Sequence, residues 1–231
     1  MLADAGKYNQ DQARYQSLVE ELYENYAEGV TLPPEYAYFM EKDLLRLMIR
    51  LARYKFLCRL MKPTDCVLEI GSGSGLGSIF MSQHCAHVTG LEVKATEIAE
   101  ARTINRRKNV EFVCGDLFDA PIDQRYDIVV ALDVIEHMPI EQGRKLVEAM
   151  CRRLKPTGML VIGTPSIYSY PYQSALSQAS HVKCYDQREL VELIDQYCGR
   201  TLPFSMNDEL VHTGYAKMSW YYFVLGFVPH Q

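Results

Sequence analysis

The sequence predicts an α/β fold in which helices cover both faces of an open, mostly parallel sheet. Between residues 66 and 163, short runs rich in Val and Ile alternate with stretches that have the apolar spacing of amphipathic helices. Strands that alternate with helices are joined by right-handed crossovers, which make the strands parallel. The 231 residues are enough for one sizeable core of this kind. Ligands of such sheets bind at the carboxyl ends of the strands.

An N-terminal helical extension is predicted before the sheet, with helices over 13–27 and 35–61. Pro33 and Pro34 separate these helices, and a turn at 62–65 ends the second one. The predicted domains are therefore 1–61, a helical extension or cap, and 62–231, the α/β domain. The predicted strands are 66–70, 87–93, 110–113, 126–132 and 159–163, with helices at 76–85, 95–107 and 141–154 between them. A helix at 186–197 and two strands at 201–205 and 220–227 follow.

Composition excludes several classes of partner. The formal net charge of −5 argues against a protein that grips nucleic acid through its phosphates. The sequence shows no secretory leader and no run of 18 uncharged apolar residues, so we expect a cytoplasmic protein that does not enter a membrane. The seven cysteines are scattered and form no C-x-x-C pair, which indicates reduced thiols.

A glycine-rich segment, Glu69-Ile-Gly71-Ser-Gly73-Ser-Gly75, follows the first strand and opens a helix. Glycine lets the backbone turn sharply and approach a ligand closely. The dinucleotide fingerprint requires a sixth-position glycine, where this chain has Leu76, and the phosphate-binding Gly-Lys-Ser/Thr ending is absent. Glu92 ends the second strand and could accept two hydrogen bonds from a ribose diol, or it could be a solvated strand end.

These segments, in order, resemble a known enzyme family. VLEIGSGSG, CGDLFDAP, YDIVVALDVIEHM, LKPTGMLVIGTPS and SHVKCYDQREL are similar to class I S-adenosylmethionine-dependent methyltransferases of the branch that contains the ubiquinone-biosynthesis and sugar O-methyltransferases. The resemblance covers roughly residues 60–205. It implies a Rossmann-like, seven-stranded sheet whose last strand is antiparallel, with 62–231 as the methyltransferase domain. The cofactor-binding residues it implies are Glu69, Gly71, Gly73, Gly75, Glu92, Asp116, Leu117 and Leu132.

A second resemblance concerns the chemistry at the acceptor. The cofactor's methyl group is already activated, but a hydroxyl acceptor must lose its proton to a base or with the help of a metal. The small-RNA 2′-O-methyltransferases carry Glu-x-x-Glu-His after the fourth strand and a later His, and these side chains bind a divalent cation. The matching residues here are Asp133, Glu136, His137 and His181, with Asp in place of the first Glu. Three interpretations stay open: these four residues hold a divalent metal ion, His137 or His181 is the catalytic base, or the cluster braces the loops.

Other residues are candidates for contact with the acceptor. Tyr168, Tyr170 and Tyr172 stand at alternate positions, so an extended segment would put three rings on one side as an acceptor wall; ordinary packing explains them equally well. His212 lies in a polar loop between the last two strands, where substrate contacts are common. Arg46, Arg50 and Arg53 recur at helical spacing, which favours a solvated face over a pocket for an anionic acceptor.

The sequence therefore predicts an S-adenosylmethionine-dependent methyltransferase that acts on a small-molecule acceptor, namely a hydroxyl of a sugar or saccharide precursor. N-methylation of a small amine and a non-catalytic, cofactor-binding regulatory protein are the alternatives. RNA as acceptor is disfavoured because the chain has neither a recognisable RNA-binding module nor a basic charge.

Overall fold

The amino-terminal helix is longer than the sequence pattern predicts. The computed structural model describes residues 2–120 and 122–230. The chain divides into two units, one ending at Leu32 and one beginning at Pro33. In the first unit, α1 spans Leu2–Asn25 instead of the predicted 13–27. Gly29 follows α1 with a left-handed φ of 61°.

The second unit begins with two helices where the sequence predicts one. α2 spans Pro34–Lys42 and α3 spans Leu44–Cys58. The prediction of one helix over 35–61 is wrong because Asp43, with φ −154° and ψ 60°, leaves the helical conformation. The Asp43 side chain accepts a hydrogen bond from the Arg46 amide at 3.1 Å, as an N-cap does. Its own amide donates to the Phe39 carbonyl at 3.0 Å, so this residue ends one helix and starts the next.

One sheet forms the centre of the second unit. Its order is β3-β2-β1-β4-β5-β8-β6-β7. Strands β1 to β5 pair in parallel, and β8 pairs antiparallel with both β5 and β6. The strands are β1 Cys66–Ile70, β2 His87–Glu92, β3 Val110–Cys114, β4 Tyr126–Leu132, β5 Leu154–Pro165, β6 Cys198–Asn207, β7 Leu210–His212 and β8 Tyr221–Pro229.

The sheet has eight strands rather than the seven that the resemblance implies. The additional strand is β7, which pairs antiparallel with β6 through a tight hairpin in which Asn207 lies opposite Leu210. Asp208 makes the turn with a left-handed φ of 48°, a conformation that Asp tolerates better than most residues. A strand of three residues is too short to show alternation in a sequence, so it was predicted as part of a loop.

Helices lie on both faces of the sheet, as predicted. They are α4 Leu76–Met81, α5 Ala95–Ile104, α6 Ile140–Arg152, α7 Ala175–Ser180 and α8 Gln187–Ile194. Leu146 and Ile194 belong to the apolar core on one face, and Leu57, Met81 and Ile98 belong to the core on the other. Within the described residues, no helix is long and apolar enough to cross a membrane. Because β1 to β4 run parallel, their carboxyl ends meet at one edge of the sheet.

The break between α2 and α3 can be tested through its cap. We expect Asp43→Ala to lower the free energy of unfolding by about 1 kcal/mol, the usual cost of losing an N-cap side chain. Asp43→Asn keeps an acceptor oxygen at this position and should be nearly neutral. Urea denaturation measures both variants, and an Asp43→Ala midpoint equal to that of the wild type would contradict the capping role.

Candidate functional site

The segment between β1 and α4 is a tight loop whose backbone lies against β2. The amides of Gly71 and Ser72 both donate to the Leu91 carbonyl, at 2.8 and 3.1 Å. Gly71 has a φ of 72°, and a Cβ added there would lie 2.5 Å from Cγ2 of Val134. Both the left-handed backbone and this close approach require glycine. The loop therefore presents its backbone at the carboxyl end of β1.

Glu92, the last residue of β2, is tied to this loop. One of its carboxylate oxygens accepts from the Gly73 amide at 3.1 Å, and the other accepts from the Lys94 amide at 3.0 Å. The side chain is buried. Each carboxylate oxygen has a further lone pair, so Glu92 can still accept hydrogen bonds from two hydroxyl groups of a ligand. Glu92 thus lies beside the glycine loop, as the sequence predicts.

A cavity of about 1010 Å³ opens at this edge of the sheet. Small-molecule sites typically measure about 300–1,000 Å³, so the cavity has room for a cofactor and a small acceptor together. At the end of β3, the Asp116 carboxylate accepts from the Phe118 amide at 3.0 Å, and Leu117 is buried. The predicted site residues that line the cavity are Gly71, Gly73, Glu92, Asp116, Leu117, Leu132, Asp133 and His137.

Gly75 and Glu69 lie outside the lining of the cavity. A Cβ on Gly75 would meet the Phe112 ring at 2.6 Å, so this glycine serves packing beneath the loop. Glu69 is also buried beneath the loop, where it accepts hydrogen bonds from the Ser78 hydroxyl and the Tyr54 phenol. Burial raises the pKa of Glu69 to about 7, although both hydrogen bonds act to lower it.

The loop after β4 begins with Asp133 in a left-handed conformation, with φ 56°. The Asp133 amide donates to the Gly163 carbonyl at 3.0 Å. Its carboxylate forms an ion pair with the Arg53 guanidinium of α3. The guanidinium carbon of Arg53 lies 3.9 Å from the centre of the Tyr221 ring in β8, a cation–π contact. One arginine therefore connects α3, the β4 loop and β8.

Helices α2 and α3 also contribute to the cavity, which Tyr36 and Arg50 both line. The Tyr36 hydroxyl accepts from the Leu76 amide at 3.2 Å, and Arg50 pairs with Glu35 at 2.6 Å. A solvated face describes the exposed Arg46 but is wrong for Arg50 and Arg53. Helical spacing marks a polar stripe, but it cannot identify carboxylate partners far away in the sequence.

Glu136, His137 and His181 converge beside the cavity from two separate loops. One potential ligand atom of each residue lies within 4.8 Å of the others. Nδ1 of His137 lies 3.0 Å from the Ser180 carbonyl oxygen. This acceptor fixes the proton on Nδ1 and leaves Nε2 with a free lone pair.

The cluster also contains two buried polar atoms without partners among the described residues. One oxygen of the fully buried Glu136 accepts from the Thr164 hydroxyl at 3.0 Å, whereas the other has no hydrogen-bond partner. Nδ1 of His181 is likewise buried and unpartnered. Buried polar atoms are normally paired, so these two indicate a place for a ligand.

Burial perturbs the charge of this cluster. It raises the pKa of Glu136 to about 8, with a smaller contribution from the Asp133 carboxylate. Burial and the neighbouring His137 lower the pKa of His181. Both shifts favour the uncharged form of the side chain, as expected where burial is not fully offset by an opposite charge nearby. Asp133, the fourth predicted metal ligand, is not part of this group of ligand atoms because its carboxylate pairs with Arg53.

The tyrosine segment is not extended, so the condition under which its three rings would form one acceptor wall is not met. Ile167–Tyr172 forms a 3₁₀-helix, in which alternate residues do not share one side. Tyr168 donates to Asp186 at 2.7 Å and Tyr170 to the Gln178 carbonyl at 3.3 Å, while the Tyr172 ring lies 5.7 Å from that of Trp220. All three tyrosines lie outside the cavity lining.

His212 belongs to β7, in the hairpin at the edge of the sheet. Its Nδ1 accepts from the Gly214 amide at 2.9 Å, and it too lies outside the cavity lining. Contact of His212 or of the tyrosines with an acceptor stays a prediction.

Comparison with known families matches part of the second unit. Residues 67–158 match a family described as a methyltransferase domain. Solved methyltransferases share the fold. The N-methyltransferase NodS from Bradyrhizobium japonicum WM9, in complex with S-adenosyl-L-homocysteine, is 17% identical with a TM-score of 0.61, over 79% of this chain and 88% of that one. An S-adenosylmethionine-dependent methyltransferase from Clostridium acetobutylicum is 11% identical with a TM-score of 0.64, over 90% of this chain and 100% of that one. The fold is the Rossmann-like methyltransferase fold.

Curated relatives are similar over part of their length. The ubiquinone biosynthesis O-methyltransferase of Coxiella burnetii is 30% identical over 101 residues, which cover 42% of this chain and 42% of the relative. The mitochondrial ubiquinone biosynthesis O-methyltransferase of Schizosaccharomyces pombe is 28% identical over 151 residues, 60% of this chain and 53% of the relative. The chain thus spans about half the length of the curated relatives it matches.

The raised pKa of Glu69 predicts a pH dependence of stability. In the unfolded chain Glu69 has the ordinary glutamate pKa of about 4.5, whereas in the folded protein its pKa is about 7, so the proton is kept to higher pH. This group therefore lowers the stability of the wild type as the pH rises from 4.5 to 7. Gln cannot ionise, so Glu69→Gln should not show this loss. We expect the difference in unfolding free energy, variant minus wild type, to increase by about 2–3 kcal/mol between pH 4.5 and 7.

Urea denaturation at a series of pH values measures this difference. Glu209→Gln, at an exposed carboxylate in the β6–β7 turn, should run parallel to the wild type. Parallel curves for Glu69→Gln would contradict the raised pKa.

Proposed function

We propose that this protein is an S-adenosylmethionine-dependent methyltransferase that acts on a hydroxyl group of a small molecule. The observation that carries the proposal is the arrangement of the cavity. The glycine loop and Glu92 line one part of it, and Asp133 and His137 line another. A cofactor on the first group and an acceptor beside the second would share one enclosed space, as in-line displacement requires.

The residues on the cofactor side fit S-adenosylmethionine. Glu92 would accept hydrogen bonds from the ribose hydroxyls, and Asp116 would accept one from the adenine amino group beside the apolar surface of Leu117. The Ser72 hydroxyl, buried without a partner among the described residues, is available to the amino-acid end. When bound, this cofactor supplies a methyl group already activated by the sulfonium charge.

A hydroxyl acceptor must lose its proton, and the proposal assigns this task to Glu136, His137 and His181. Nε2 of His137, Nδ1 of His181 and the unpartnered oxygen of Glu136 together form a donor set suited to a divalent transition metal. One potential ligand atom of each residue already lies within 4.8 Å of the others, so small side-chain rotations would let the three residues hold one ion. A divalent cation, when bound, would lower the pKa of the acceptor hydroxyl.

Contacts of the chain itself would orient this donor set. The Ser180 carbonyl accepts from Nδ1 of His137 and sets the direction of the ring, and the Thr164 hydroxyl holds the second oxygen of Glu136. Such outer contacts fix the tautomer and orientation of metal ligands. The buried carboxyl of Glu136, whose pKa is about 8 without a cation, would gain its missing counter-charge.

The acceptor class follows from the same cluster. An amine needs only a free lone pair, so a proton-removing site favours a hydroxyl. The names of the curated relatives, both O-methyltransferases, support the same choice. The net charge of −5 favours a small molecule over a polyanion, and a saccharide hydroxyl remains our proposed acceptor.

Cofactor affinity should depend on the ribose carboxylate. We expect Glu92→Ala to weaken S-adenosylhomocysteine binding by about 1.5–3 kcal/mol, the scale of charge-assisted hydrogen bonds. Titration calorimetry measures the change, and Glu209→Ala in the exposed β6–β7 turn is the control. Unchanged affinity in Glu92→Ala would remove this residue from the site, and tight binding of NAD by the wild type would overturn the cofactor assignment.

Turnover should require the cluster of Glu136, His137 and His181 and the cation that it holds. In a screen of saccharides, phenols and amines that measures S-adenosylhomocysteine release, we expect activity with hydroxyl acceptors and its loss on chelation without loss of cofactor binding. His137→Ala and His181→Ala should lower kcat by about 100-fold or more, the scale of lost acid–base or metal assistance. His84→Ala, at an exposed histidine, is the control.

The alternatives predict different results. If a histidine acts directly as base, chelation has no effect and the rate falls as the pH drops through the titration of that imidazole. Near wild-type turnover in both histidine variants would contradict the assignment of the cluster and favour an amine acceptor. Cofactor binding without turnover of any acceptor would favour a regulatory protein.

A further inference from the structure

One carboxylate near the cluster is held away from it. Asp133 precedes Glu136 by three residues and lines the same cavity as His137. Its carboxylate nevertheless pairs with Arg53 and is absent from the group of converging ligand atoms. Asp133 therefore forms an ion pair with Arg53 instead of joining the ligand atoms of the cluster.

The packing around Arg53 holds its side chain in place for the ion pair with Asp133. The Arg53 side chain is 17% exposed, and its guanidinium stacks on the Tyr221 ring. Nε of Arg53 is buried without a partner among the described residues. Removing a guanidinium from water is costly, and an apolar side chain would fill the same space at lower cost. Packing alone therefore does not account for an arginine here.

The backbone of Asp133 supports the same orientation. Its left-handed φ of 56° is uncommon for a residue other than glycine and persists where the surroundings hold it. The hydrogen bond from its amide to the Gly163 carbonyl and the ion pair with Arg53 are two such contacts. Together they direct the carboxylate toward α3.

The number of protein ligands determines what a metal site can do. A zinc ion with four protein ligands is closed and structural, whereas one with three keeps positions open for other ligands. Glu136, His137 and His181 provide three ligands, and a carboxylate from Asp133 would provide a fourth. The orientation of Asp133 thus decides between the two kinds of site.

We propose that Arg53 keeps this site open by holding the Asp133 carboxylate outside the ligand set. The inference rests on the proposed function, since it requires a cation at the cluster. Arg53 acts through Asp133 and is a positioning residue. Its loss would release a carboxylate three residues before Glu136, free to turn toward the cation and close the site.

Cobalt is a suitable probe because the visible absorption of Co²⁺ reports the number and type of its ligands. We expect Arg53→Met to bind Co²⁺ about 10-fold more tightly than the wild type, with an altered absorption spectrum, a scale comparable to changes around metal ligands. Arg53→Met/Asp133→Asn should return to the wild-type spectrum and affinity. Arg53→Lys keeps a cation beside Asp133 and should resemble the wild type, as should Arg59→Met, at the exposed end of the same helix.

Asp133→Asn gives a test that does not depend on the folding of Arg53→Met. If Asp133 is outside the ligand set, Asp133→Asn should leave the Co²⁺ spectrum unchanged, and a spectrum that reports the loss of an oxygen ligand would overturn the inference. S-adenosylhomocysteine binding by calorimetry shows that each variant is folded.

Failure of this inference differs from failure of the proposed function. If the wild type binds Co²⁺ and a folded Arg53→Met has the same spectrum and affinity, the role of Arg53 is overturned while the cation cluster stands. If the wild type binds no Co²⁺, the cation cluster fails and the inference about Arg53 fails with it. If the wild type does not bind S-adenosylhomocysteine, the methyltransferase assignment is overturned instead.

Discussion

The site depends on one short contact between neighbouring parallel strands, where two successive amides at the end of β1, those of Gly71 and Ser72, donate to the Leu91 carbonyl of β2. These hydrogen bonds bend the loop over β2 and bring the Gly73 amide to Glu92. The same bend leaves no space for a Cβ on Gly71, because Val134 of the β4 loop packs there. The loops after β1, β2 and β4 are thus fixed relative to one another, and the cavity between them is largely preformed.

Helices outside the matched methyltransferase segment complete this arrangement. Tyr36 of α2 accepts from the Leu76 amide at the start of α4, so the first turn of that helix gains a partner from a distant part of the chain. Arg53 of α3 joins the β4 loop to β8 through Asp133 and Tyr221. Residues 67–158 do not include α2, α3 or β8, so part of the cavity lining and the partners of Asp133 come from segments that the family match does not cover.

The sequence predicts the local features of the site and, through the resemblance, the convergence of His137 with His181, but it misses other contacts between distant residues. Glycines directly after a strand require a turn with unusual backbone angles, and strand ends in a parallel sheet meet at one edge, so the glycine loop and Glu92 could be predicted from pattern alone. The pairing of Arg53 with Asp133 spans 80 residues and leaves no periodic signal. Asp43 interrupts a stretch with continuous helical spacing, and one capping side chain was enough to divide it. The 3₁₀-helix at Ile167–Tyr172 likewise overrode an alternation that suggested extended backbone.

The short hairpin strand β7 also limits what one edge of the sheet offers to a pairing strand. A sheet edge with free amides and carbonyls is a template for pairing with another chain, and long, flat edges are the most hazardous. Here β6 is covered by β7 at Ser205, Met206 and Asn207. The rest of β6 includes Pro203, which has no amide hydrogen to donate, and the exposed charge of Arg200. A strand from another molecule could therefore pair at this edge with the three residues of β7 or with the part of β6 that contains Pro203. Neither segment is a long, regular edge, so this edge is a poor template for aggregation.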